Sequence, residues 1–550
     1  MRGSRSVNRP PLRATTRADR FRVVPATPDL DAARSAVNLA ASVVDAGARS
    51  LAATGDVDAE QVVAYDVAHA AAAVENARTM LEYGQRDDVE ARLACAFVAD
   101  VVHDLSAKCL WREASWGVEP GTLAGAAEFA RAYRDPQCLA ELCGEQGPRH
   151  LDPDFELVQD TFRRFAEDKI RPVAEEVHRH NLDIPELIIQ GLAELGAFGV
   201  SIPEEYGGFA AEGEGEYLAM VAATEELSRG SLGVGGSLIT RAEILSRALV
   251  AGGTEEQKHE WLPRLASGEL MAAIAVTEPD FGSDVARVRV LAKRDGDGWR
   301  ISGVKTWCTF AARADVLALL ARTDPDRSKG HRGLSLFVVP KDRGEGHGFE
   351  LKQPEGGTME GRTIDTIGYR GMHSYEVAFD DWYVPGENLI GGPAGQGSGF
   401  VLQMKGFENG RLQTAARAVG LMQAAYEAAY DYAANRALFG KSLLDYQLTR
   451  AKLARMAVVI QANRQFAYRV ARLMATGAGR AEAAMVKAYA CEAAEWVTRE
   501  AMQIHGGMGY AEEFPVSRYF VDARVLSIFE GADEILALKV IARHLVVNAR

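Results

Sequence analysis

Cysteine is scarce in this chain. There are six in 550 residues (Cys95, Cys109, Cys138, Cys143, Cys308 and Cys491), with no CxxC pair and no dense spacing. That pattern argues against a disulfide framework and a structural zinc site, and it fits a reducing cytoplasm. Long apolar runs are missing too. None approaches the ~20 residues that a membrane span requires. Positive charge is in deficit: 62 Lys and Arg stand against 76 Asp and Glu, a net charge of −14. Such a balance speaks against nucleic acid or an anionic membrane as partner. The hydrophobic share of 47% and the charged share of 25% are ordinary globular values, so a disordered or fibrous chain is excluded.

The first 22 residues depart from this balance, with seven arginines and one acid, Asp19. An organellar transit peptide has this composition. Pro10-Pro11 interrupts any helix there, so the expectation is a disordered basic tail over 1–27. Residues 28–150 are alanine-rich. Val62, Val63, Val67, Ala70, Val74, Ala77 and Leu81 recur at helical spacing, which predicts packed amphipathic helices. A Pro- and Gly-bearing stretch from Gly144 to Pro153 reads as a boundary. A second helical unit follows over 151–270. Short strand-like runs occupy 271–390, where Val288, Val290 and Ala292 alternate with Arg287, Arg289 and Lys293, the mark of a half-buried strand. Long helices return over 391–550. The fold class is therefore mainly α with a central β domain, and its domain junction is a natural cleft for a flat cofactor.

Four segments carry candidate chemistry. In Ala275–Asp284 a strand runs into Thr277, Ser283 and glycine, leaving free N–H groups for an anion or polar heterocycle, or simply a Pro/Gly turn. In Gly303–Thr309, Trp307 is suited to cover a flat ring or to fill a core. Gln503–Tyr510 holds three glycines, which either cap a helix or let a pyrophosphate approach. His505 beside them has no partner placed by sequence. In Ile528–Ile535, Glu530 follows an apolar run and precedes Gly531. Burial there would raise its pKa and suit it to remove a weakly acidic proton. Asp533 and Glu534 read as acids at a helix N-terminus.

Together these segments, in this order, resemble the acyl-CoA dehydrogenase family over residues 151–550. The resemblance rests on Thr277-Glu-Pro-Asp-Phe-Gly-Ser-Asp284, on Gln503–Tyr510 running through Glu513, Arg518 and Asp522, on Arg436-Ala-Leu-Phe-Gly-Lys441 with Gln447, and on Glu530-Gly. It implies an N-terminal helical domain, a β-barrel-like middle domain and a C-terminal four-helix bundle. It also implies FAD as cofactor, an acyl-CoA thioester as substrate, electron-transferring flavoprotein as acceptor, and a homodimer or homotetramer. Val276, Thr277, Ser283, Trp307 and Thr309 would meet the flavin. Arg436, Phe439, Gln447, Gln503, Ile504, Gly506, Gly507, Ala532 and Glu534 would meet the rest of FAD, several of them across a subunit interface. Ser283, Arg411 and Gly531 would lie along the substrate. Glu530 matches the base of the commonest subgroup, whereas some relatives place it just before the position of Arg411. Here that position is Gly410. Phe281 and Arg287 replace small residues and would reshape the acyl pocket.

Residues 1–150 lie outside the ordinary family plan. Val74–Gly84 and Ala94–Asp100 resemble the N-terminal extension of one subgroup, the (2S)-methylsuccinyl-CoA dehydrogenases, and Gly368–Met372 and Phe281 fit it too. That resemblance implies formation of mesaconyl-CoA in the ethylmalonyl-CoA pathway. A carboxylate at the far end of the acyl group would need a buried cation. Arg241 is the candidate, with a solvated helix residue as its other reading. Two rivals stand beside this function: a general short- or branched-chain acyl-CoA dehydrogenase, and a non-catalytic or DNA-associated member of the same fold.

Overall fold

Small residues at helical spacing let the helices Leu30–Thr54, Gln61–Tyr83 and Asp88–Cys109 pack closely at the head of the chain. A Cβ at Gly47 would stand 2.8 Å from Val67, and one at Gly84 would stand 2.9 Å from Ala94. The Asp29 carboxylate caps the first helix by accepting from the Ala32 N–H, one of the donors a helix start leaves free. The computed structural model describes residues 27–210, 215–344, 346–354 and 356–549. The basic tail expected up to residue 27 lies outside the described residues apart from Thr27, whose carbonyl accepts from the Tyr133 hydroxyl.

The stretch read as a boundary is pinned down rather than free. Arg149 reaches Glu225 at 3.1 Å and Glu226 at 2.6 Å, and His150 meets Glu90 at 2.7 Å. Beyond it, helices from Pro153–Phe165 to Glu255–Ala266 form the second helical unit.

The middle of the chain is an eight-stranded sheet. Its strands are β1 Ala272–Ala275, β2 Leu291–Asp295, β3 Gly298–Thr309, β4 Val316–Arg322, β5 Leu334–Pro340, β6 Gly348–Lys352, β7 Thr358–Ile364 and β8 Ser374–Val384. The order is β1-β4-β2-β3-β8-β7-β6, with β5 antiparallel on β4. Val288, Val290 and Ala292 are buried while Arg289 and Lys293 are exposed, as their alternation predicts. The strand nevertheless starts only at Leu291. The Glu278 carboxylate takes the N–H groups of Arg289 at 2.6 Å and Val290 at 2.8 Å, so a side chain satisfies donors that a strand neighbour would otherwise take.

The C-terminal unit is built on Gly399–Asn435, Gln447–Ala475, Arg480–His505 and Pro515–Leu526, with shorter helical segments from Asp533 to Asn548. The helix Gln61–Tyr83 lies against the second and third of these, so the extension is part of the same packed body. No helix among the described residues is long and apolar enough to cross a membrane.

Candidate active site

Two of the sequence segments meet at the end of the sheet. The Thr306 N–H donates to the Thr277 carbonyl at 2.9 Å. Lys305, fully buried, donates to the Val276 carbonyl at 2.8 Å and to Glu278 at 2.9 Å. Burial holds its ammonium below the usual lysine value, and Glu278 acts against that shift. This staple fixes Val276 and Thr277 beside Trp307, whose backbone is left-handed at φ +57° and whose indole is 55% exposed. Thr309 is buried and shares a 3.0 Å hydrogen bond with Ser374. Ser283 is exposed.

Most of the residues expected to hold the rest of FAD lie on open surface. Arg436, Gln447, Gln503, Gly506 and Gly507 are exposed, and the Phe439 ring is 90% exposed. A Cβ at Gly506 or Gly507 would meet nothing within 4 Å, a cradle that suits a phosphate chain. Ile504 is buried beneath it, and Gln447 approaches Gln137 of the extension at 3.5 Å. The exposed indole suits a flat ring, and the bare glycine turn suits a diphosphate, each at its own place on the chain. His505 is not part of this surface. It is buried, stacks on Tyr432 at 4.2 Å, and bonds the Ala501 carbonyl at 2.8 Å.

Glu530 sits in a turn after Pro515–Leu526, at φ +54°, followed by Gly531 at φ +100°. Its side chain is only 4% exposed, and its Oε2 has no hydrogen-bond partner among the described residues. A Cβ at Gly410 would lie 3.1 Å from that oxygen, so the two positions at which the family resemblance would put a base lie side by side. Ala532 is half-buried. Asp533 and Glu534 open the next helical turn as expected, but Asp533 is buried and bonded to the extension.

Arg241 is buried, which removes the solvated reading. Its Nη1 lies 3.5 Å from Glu530 Oε1 and its Nη2 lies 3.5 Å from the Tyr369 hydroxyl. Burial opposes its charge, but Tyr369 and Glu530 hold the guanidinium above its usual value. Sequence reasoning missed a second cation, Arg417. It is 0% exposed, donates to Ser237 Oγ at 3.2 Å, and lies 5.0 Å from the Phe529 ring centre. Its Nε and Nη2 are buried without hydrogen-bond partners among the described residues, and burial pushes its pKa down. Tyr369 was missed as well. It crosses Phe529 edge-on at 5.6 Å, and its backbone N–H donates to Asp522 at 2.6 Å. Arg411 is half-buried one residue past Gly410, with an unpartnered Nε. Phe281 packs in a smaller core with Ile202, Ile244 and Val288, and Arg289 lies 4.7 Å over its ring.

Comparison with known proteins gives the family. Three acyl-CoA dehydrogenase family models match: the N-terminal domain over 152–269, the middle domain over 273–382 and the C-terminal domain over 397–546. The (2S)-methylsuccinyl-CoA dehydrogenase of Cereibacter sphaeroides is 46% identical over 401 residues, covering 72% of this chain and 71% of that protein. The butyryl-CoA dehydrogenase structure from Megasphaera elsdenii superposes with a TM-score of 0.66 at 32% identity, over 72% of this chain and 99% of that one. A glutaryl-CoA dehydrogenase from Mycobacterium smegmatis, solved in complex with FADH2, gives 0.63 at 27% identity, over 73% and 96%.

Proposed function

The chain belongs to the acyl-CoA dehydrogenase family, and from that premise we propose that it oxidises (2S)-methylsuccinyl-CoA to mesaconyl-CoA. Charge carries this reading. Arg241 and Arg417 are buried, Glu530 is the carboxylate that acts on both, and Arg417 keeps two nitrogens without a partner among the described residues. The unpaired nitrogens of Arg417 leave a buried positive charge poorly compensated. A buried charge in that state is costly. A short acyl group with its own distal carboxylate would neutralise it, whereas an uncharged acyl group would not.

Glu530 is the base. Its unbonded oxygen is free to take the α-proton, and the surrounding side chains exclude water that would otherwise solvate it. The Glu530 N–H is our donor to the thioester oxygen, where negative charge develops. Val276, Thr277, Trp307 and Thr309, with the Gln503–Gly507 turn, would hold FAD, which would supply the two-electron acceptor for the β-hydrogen. Arg411 would steady the CoA arm. Electron-transferring flavoprotein is the acceptor we assign for reoxidation. The exposed apolar side chains Leu438, Phe439 and Leu448 suit a subunit interface, which supports a homo-oligomer.

The test is a panel of CoA thioesters with an artificial electron acceptor, run on wild type and Glu530→Gln. Wild type should prefer methylsuccinyl-CoA over 2-methylbutyryl-CoA, and the variant should keep FAD while losing about 10²–10⁴-fold in flavin reduction. A preference for the uncharged thioester would retire the dicarboxylate. A variant with more than about a tenth of the wild-type rate would retire Glu530.

A further inference from the structure

The extension touches the turn that carries Glu530. The Tyr65 hydroxyl donates to Asp533 Oδ2 at 2.5 Å, and His69 Nε2 meets the same oxygen at 3.0 Å. His69 Nδ1 lies 3.3 Å from Glu492 on the helix Arg480–His505, and the Tyr65 and His69 rings are 4.5 Å apart. Both ring nitrogens lie near carboxylates, although only Nε2 makes a hydrogen bond, and this surrounding negative charge favours the imidazolium. Asp533 is buried, and its N–H donates to the Ser527 carbonyl at 3.0 Å, closing the loop that contains Glu530. From the other side Lys487 donates to the Gly531 carbonyl at 2.7 Å.

Glu530 adopts a left-handed conformation, at φ +54°, that a residue with a side chain avoids unless its surroundings impose it. Lys487 and Asp533 grip the turn on either side of this strained residue. Asp533 is gripped in turn by two side chains that lie 468 and 464 residues away in sequence. We propose that Tyr65 and His69 are positioning residues for Glu530: acting through Asp533, they hold the turn that aims its carboxylate. The extension is then part of the catalytic apparatus and not only a covering of the bundle. This rests on the reading of Glu530 as the base.

The experiment compares full-length, FAD-loaded wild type with Tyr65→Phe/His69→Leu, His69→Gln, Asp533→Asn and Glu530→Gln. Misplacing a reacting group by about 1 Å costs on the order of 10²-fold, so the double variant should lose at least ~10-fold in the limiting rate of flavin reduction. Its thioester Kd should change little, and hydrogen exchange at the amides of 529–533 should speed up. His69→Gln keeps one donor for Asp533 and should recover most of the rate. Asp533→Asn, nearly isosteric, should show the same rate loss if the double variant does not fold. Wild-type limiting rates in the double variant or in Asp533→Asn overturn the proposal, as do losses confined to FAD content or thermal stability. If Glu530→Gln itself still reduces flavin, the assignment of the base fails instead, so the two failures are distinguishable.

Discussion

Replacing Arg417 by methionine should separate binding of a charged acyl group from everything else the site does. Arg417 is fully buried, has one bonded nitrogen, Nη1 on Ser237, and leaves Nε and Nη2 unsatisfied. In the free enzyme this is a cost, because a buried cation without partners loses several kcal/mol of solvation. Arg417→Met should therefore leave Tm unchanged or raise it by a few degrees. With methylsuccinyl-CoA the sign reverses. Removing one partner of a buried ion pair costs about 3–5 kcal/mol, which is roughly a 10²–10³-fold or larger fall in kcat/KM. On 2-methylbutyryl-CoA only side-chain packing is lost, and the fall should stay below about 10-fold, the equivalent of 1.4 kcal/mol. The assay is kcat/KM on both thioesters with a melting curve alongside. Equal losses on the two substrates would refute the pairing. So would a large fall in Tm, because Arg417 would then be a structural residue. Arg241→Met should behave differently, since Arg241 also lies 3.5 Å from Glu530. It should impair both substrates, and the dicarboxylate more.

Two further outcomes follow from other parts of the molecule. Arg436 lies on an exposed stretch with Phe439, so Arg436→Ala should weaken FAD retention through loss of a charged phosphate contact; FAD content after gel filtration at low protein concentration checks this, and unchanged content would remove Arg436 from the cofactor site. Burial works against charge on His69, but Asp533 and Glu492 outweigh it and hold the pKa at about 9. A raised pKa stabilises the fold fully below the unfolded value near 6.5 and loses that effect as pH climbs through 9, so denaturation should show about 2 kcal/mol less stability at pH 9 than at pH 7. The His69→Gln variant should lack that slope, and a wild type with no slope would contradict it.

How much of this was legible in the sequence depended on how local each cause was. The order of helical and strand segments follows from periodicity, and so does the burial of Val288, Val290 and Ala292. The late start of the strand at Leu291 was not legible, because Glu278 reaches across eleven and twelve residues to take its N–H groups. Glu530 was legible from its apolar approach and from Gly531, both adjacent in the chain. Arg241 was legible only as a possibility, since a helical arginine next to apolar residues reads equally well as solvated. Burial decides between the two.

Arg417 shows where a usable signal was passed over. It stands in Thr414-Ala-Ala-Arg-Ala-Val-Gly420, a helical stretch with no other charge and almost no side-chain bulk. Arginine is almost never fully buried without a partner, so a lone cation in such a run is either on a solvated face or held for a ligand. The neighbours decide it: Ala415, Ala416, Ala418 and Val419 are all buried, which leaves no solvated face. Asp533 shows the opposite limit. Reading it as an acid at a helix N-terminus was sound, yet that explained only its backbone position. Its Oδ2 is taken by both Tyr65 and His69, and no periodicity within either segment points to the other. Such a contact is recognisable once both ends are seen to be buried and polar, because a buried carboxylate has to find its partners wherever the fold brings them. Residues 28–150 should therefore be mutated with the base in view, at Tyr65 and His69 before any position on the outer helices.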